Sequence, residues 1–141
     1  MSELPVTPEL CGIAATALDY GAHLATDIRE TFQPALVSET TKGERRITQL
    51  VLLEETSAND PLQAALASLA AQDEVMRAAV VVDGNTHING VTEDAIIVLV
   101  DERSESYSHE FAQRYRRSGL RKKFQTVGNV AYLGERSPVF P

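Results

Sequence analysis

Apolar residues recur at steps of three and four from Leu10 through Ile13, Ala14, Ala17, Leu18, Leu24, Ala25 and Ile28 to Phe32. That spacing lays one apolar stripe along a helix, with Thr16, Asp19, Tyr20, His23, Asp27 and Glu30 on the opposite side. Thr7 supplies an N-cap, Pro8 suits the first helical position and Glu9 places negative charge in the first turn. Pro34 predicts an end at or near Gln33. Gly21 interrupts the stripe, where it predicts either a close crossing or a break between two shorter helices.

Residues Ala35 to Glu44 read as a loop, rich in Ser, Thr and Gly. Ile47 to Leu53 reads as a strand that ends in Glu54 and Glu55. Asn59-Asp60-Pro61 is a helix start, and Leu62, Ala65, Leu66, Leu69 and Ala70 carry that helix to about Gln72. The period then changes to that of strands. Ala78 to Val82 is a buried strand, Asp83-Gly84-Asn85 a turn, His87 and Ile88 a short return, and Asn89-Gly90 a second turn. Ala95 to Val100 is the most apolar strand, followed by a polar turn over Arg103 to Ser106. From His109 to Arg116 the residues alternate, with Phe111, Gln113 and Tyr115 on one side and Glu110, Ala112, Arg114 and Arg116 on the other. Ser118-Gly119 and Gly128 break the pattern, and Val130 to Leu133 is a final short strand.

These elements predict an α+β domain: two helices on one face of a mostly antiparallel sheet of four to six strands. Short turns require antiparallel neighbours, so only the strand–helix–strand unit leaves room for a parallel pair. Residues 1–141 read as a single domain with frayed ends over 1–7 and 135–141, the latter closed by Pro138 and Pro141.

Composition narrows the class. With 43% hydrophobic and 23% charged residues the chain is ordinary for a globular protein, which excludes a disordered tail or a fibre. Met1 to Pro8 lacks the basic and apolar regions of a secretory signal, and no apolar run approaches the roughly 20 residues of a membrane span. The lone Cys11 cannot form an internal disulfide and reads as a small packing residue. A cytoplasmic, reducing setting without membrane contact is the expectation. No nucleotide-binding loop, serine elbow or zinc framework is present, so no cofactor is expected.

The net charge of −7 hides a dipole. Arg114, Arg116, Arg117, Arg121, Lys122 and Lys123 lie within ten residues that contain no acid. The rest of the chain carries seven basic and twenty acidic side chains. A concentrated positive segment on a negative body points to an acidic protein surface, or to a second copy of the chain in a homodimer. This is the leading reading: a non-catalytic interaction protein using the basic segment. Tyr115, with Phe111 and Phe124 nearby, supports an alternative in which aromatics stack bases while the cations contact phosphates.

A third reading is a small ligand- or metal-binding enzyme. Asp83, His87 and Asp94 sit near the expected turns, where two carboxylates and an imidazole can hold a divalent cation or supply a general base. The same residues are what turn chemistry selects, so they are weak metal candidates. Glu54, Glu55, Asp101 and Glu102 read as solvated strand ends, and His23 and His109 as surface histidines.

Overall fold

The computed structural model describes residues 6–27, 34–49, 66–88, 90–103, 105–118, 123–138 and 140. One long helix, α1 (Pro8–Asp27), precedes six strands: β1 (Ala35–Thr40), β2 (Arg45–Gln49), β3 (Val75–Ile88), β4 (Val91–Glu102), β5 (Ser108–Ser118) and β6 (Lys123–Arg136). They form one sheet in the order β2-β1-β3-β4-β5-β6, antiparallel throughout. The room left for a parallel pair is therefore unused.

The start of α1 forms as its sequence dictates. Thr7 Oγ1 accepts from the Leu10 amide at 3.3 Å. The helix is continuous through Gly21, which marks a crossing and not a break. A Cβ at this position would lie 2.5 Å from Ile96 Cγ2 and 2.9 Å from Val81 Cγ2. Glycine lets the helix axis approach the two central strands closely. Leu10, Ile13, Ala14, Ala17, Leu24 and Ala25 pack there against Val37, Ala79, Val81, Ile96, Val98, Val100 and Phe111.

Ala35–Thr40, which reads as a loop, is instead a strand buried over nearly its whole length. Its polarity misleads because tertiary partners neutralise it. Glu39 is buried, and accepts from Arg45 Nε at 2.6 Å and Arg77 Nη1 at 2.8 Å. Arg77 also donates to Glu102 at 2.7 Å. Burial opposes the charge on Arg77, but the hydrogen bonds to Glu39 and Glu102 outweigh it and hold its pKa above the ordinary value.

The second expected helix begins outside the described residues, as do Glu54 and Glu55. What is described of it is a short helical turn over 66–70. Leu69 and Ala70 join Val75, Ala78 and Phe140 in a separate cluster. Ala78 neighbours Ala79 on β3, so this cluster lies on the face turned away from α1. Two helices on one face is thus met by α1 alone among the described residues. Arg103 fixes the turn, donating to the carbonyls of Ala70, Gln72 and Val75 while its guanidinium lies 4.8 Å from the Phe140 ring centre.

At the C-terminal end, where prolines predict fraying, Ser108 Oγ donates to the Ser137 carbonyl and the Phe140 amide donates to Asp101. Asp101 is fully buried and Glu102 is engaged by Arg77, so neither is the solvated strand end its position suggests. His109 is likewise buried, with Nδ1 2.9 Å from Tyr132 Oη. Among the described residues, no helix is long and apolar enough to cross a membrane.

Candidate functional site: a fork between two hairpins

The site follows from three ladders of unequal length. β3 and β4 pair from Ile88↔Val91 to Arg77↔Glu102 without a shift in register, and Gly90 holds a φ of 77°. Asp83-Gly84-Asn85, expected as a turn, lies inside this ladder. Gly84 is there for packing: a Cβ on it would lie 2.9 Å from Ile97 Cδ1. β5 and β6 pair at the same end of the sheet as far as Ser118↔Lys123. Between these hairpins, the β4–β5 ladder stops at Ala95↔Arg114.

The sheet therefore forks. One prong is the end of β3–β4, the other the end of β5–β6. Asn85, Thr92, Glu93 and Asp94 face Tyr115, Arg116 and Arg117 across a cleft of about 370 Å³. One prong contributes two acids to the lining and the other two arginines.

Alternation along β5 divides the basic segment between the two faces of the sheet. On the face away from α1, Arg116 Nη2 lies 3.3 Å and Arg114 Nη1 3.7 Å from Glu93 Oε1. The Arg116 side chain is nevertheless 63% exposed. On the α1 face, Arg117 donates to the Ala25 carbonyl at 3.0 Å, in the last turn of the helix, and its guanidinium lies 5.0 Å from the Tyr115 ring centre. Lys123 is exposed at the start of β6. Arg121 and Lys122 lie outside the described residues.

Tyr115 is buried, 2% exposed, and its ring packs 5.2 Å from that of Phe124. It offers no open face on which a base could stack. Its hydroxyl donates to Asp83 at 2.6 Å. Burial first, then the hydrogen bond to Asp83 and the charge of that carboxylate, push its pKa up to about 12, against the opposing pull of Arg117.

Of the three weak metal candidates, His87 and Asp94 fall on the β3–β4 prong and Asp83 lies opposite Ile96, where β4 and β5 are still paired; the three do not converge. Asp83 accepts from Tyr115, His87 Nδ1 lies 2.9 Å from Thr92 Oγ1, and Asp94 lines the cleft. Among the described residues, no three His, Cys, Asp or Glu side chains form a group that could hold a metal ion.

The chain matches no family model, no curated protein and no solved structure.

Asn85, Thr92 and Glu93 enter the site without having been singled out from sequence. Their signal was the Asn89-Gly90 pair. The Ile88↔Val91 pair that flanks it sets the register with Asn85 opposite Asp94, Thr86 opposite Glu93 and His87 opposite Thr92. A second recess of about 280 Å³, lined by Glu105, Ser106, Tyr107, His109 and Glu135, lies at the other end of β5. Nothing in it resembles an activated nucleophile.

Proposed function

We propose that the protein is a non-catalytic binding module whose basic strand end takes an acidic segment of a partner. The observation that carries this reading is the fork. Where β4 and β5 part, an accessible Arg116 stands at an open cleft, held on one side by a carboxylate that an incoming acid can replace. The acidic segment can belong to another protein or to a second copy of this chain, whose residues outside the basic segment are strongly acidic.

The test is fluorescence anisotropy of the labelled peptide Val-Val-Glu-Glu-Val-Val at about 50 and 200 mM salt. Arg116→Glu should weaken binding about fivefold or more, as expected for loss and reversal of an exposed ion pair. Glu93→Gln should tighten binding, because it releases Arg114 and Arg116 from their internal partner. No binding of the peptide, or indifference to both substitutions, overturns the reading. Tighter binding of a labelled single-stranded oligonucleotide than of the peptide, with a log–log salt slope of about −3 to −5, would assign the surface to nucleic acid instead. Sedimentation velocity decides whether a second copy is the partner.

A further inference from the structure

The two ends of the β5–β6 pair carry opposite charge. At one end Lys123 opens β6 opposite Ser118, exposed and with no ion-pair partner among the described residues. At the other end, beside Ser108↔Arg136, lies the recess of about 280 Å³ lined by Glu105, Ser106, Tyr107, His109 and Glu135. Glu105 and Glu135 are both exposed, and among the described residues neither carboxylate has an ion-pair partner. No Lys or Arg lines the recess. The basic residues nearest to it in sequence are engaged elsewhere: Arg103 donates to the carbonyls of Ala70, Gln72 and Val75, and Arg136 lies 2.8 Å from Glu110. The recess therefore has the chemistry of a socket for an organic cation. Two carboxylates supply the charge, and Tyr107, 55% exposed, adds a ring against which the methylenes of a long cationic side chain can lie.

We infer that this recess takes Lys123 of a second copy of the chain, so that copies associate head to tail. The inference rests on the function proposed above, in that the basic strand end meets an acid, and it names the copy that supplies it. Within one molecule the pair cannot form. β6 carries Lys123 at its start and Glu135 next to its end, about 35–40 Å apart at the ordinary rise of a strand. At a screening length of about 8 Å the two ends act as independent charges.

The arginines of the basic segment already have partners: Glu93 holds Arg114 and Arg116, and the Ala25 carbonyl accepts from Arg117. Lys123 stands apart from them on the border strand, with β5 between it and the acids of the β3–β4 prong. Two recesses facing each other would repel, as would two lysines, so the contact joins unlike ends. Each pair then leaves one recess and one lysine open, and a third copy can add. One lysine in one recess is a small interface, which sets the expected association in the range of about 0.1–1 mM.

Carbodiimide cross-linking of an equal mixture of unlabelled and nitrogen-15-labelled full-length protein, read by mass spectrometry, tests the inference. The reagent joins an amine to a carboxylate in direct contact, and the chain has three lysines, Lys42, Lys122 and Lys123. Peptides linking Lys123 to Glu105 or Glu135 should combine one light and one heavy half, within a ladder that runs past the dimer. Raising the salt from about 50 to 500 mM should lower their yield about fivefold or more. In sedimentation velocity, Lys123→Gln alone and Glu105→Gln/Glu135→Gln alone should each stay monomeric, while their mixture should form dimers that do not grow. Absence of the mixed links, equal linking from Lys42, a ladder that ends at the dimer, or a mixture that stays monomeric overturns the inference. If the acidic peptide still binds the fork in that event, the function proposed above stands without self-association. If the peptide fails to bind as well, that function has failed with it.

Discussion

The hydrogen bond from Tyr115 to Asp83 ties β5 to β3 just inside the fork, and its protonation state can be read in stability. The folded protein holds the phenol at a pKa of about 12, against 10.0 for an ordinary tyrosine. A group whose folded-state pKa is raised contributes stability in full below the unfolded value, and loses it as pH rises toward the folded one. The window is therefore about pH 10 to 12. Two units at about 1.36 kcal/mol each set a ceiling near 2.7 kcal/mol, of which roughly 2 kcal/mol is gone by pH 11.5. Tyr115→Phe removes the titrating group along with its hydrogen bond, at a cost of about 1–2 kcal/mol at pH 8. Urea unfolding of both proteins at pH 8 and pH 11.5 cancels every other group that titrates in the interval. The advantage of the native protein over the variant should shrink by about 2 kcal/mol, closing or reversing. An advantage of the same size at both pH values would refute the buried phenol–carboxylate pair, and with it the geometry of the inner fork.

Three further outcomes follow from the packing. Gly21→Ala gains about 1 kcal/mol of helix propensity but drives a methyl into Ile96 and Val81, so a net loss of about 2 kcal/mol is expected by chemical denaturation. Adding Val81→Ala should recover part of the steric cost in a double-mutant cycle. Glu39→Ala leaves the Arg45 and Arg77 groups without their shared carboxylate and should cost about 3 kcal/mol, with unfolding midpoints as the readout. Phe140→Ala should cost about 3 kcal/mol and speed amide exchange over 66–70, because it removes the ring beneath Arg103 and part of the smaller cluster.

The helix was legible because its signals are local: Thr7 and Pro8 at the start, and the stripe from Leu10 onward. The alternation from His109 was legible for the same reason, and it already contained the division of the arginines, since Arg114 and Arg116 share a parity that Arg117 does not. β1 was not legible. Ser38 and Glu39 read as loop residues until Arg45 and Arg77, six and thirty-eight positions away, are brought beside the carboxylate. Asp83-Gly84-Asn85 carries turn chemistry that the sheet overrides, because the β3–β4 ladder runs on unbroken to Ile88↔Val91 and Ile97 occupies the space above Gly84. The fork lay furthest out of reach. It arises from two registers that each run on while a third stops, and no local pattern records where the β4–β5 ladder ends.

The unequal regularity of the ladders also sets where this chain can change length. β3 and β4 hold twelve consecutive pairs in one register, and alternate residues of both strands enter opposite faces. One inserted or deleted residue there sends half of a strand's apolar side chains to the wrong side of the sheet. β6 already accommodates two register shifts at its glycine-bearing bulges, and its burial pattern is mostly partial or exposed. Variation in length is absorbed at that border of the sheet, and a lineage of such chains would drift in β6 long before it could lengthen or shorten the central hairpin.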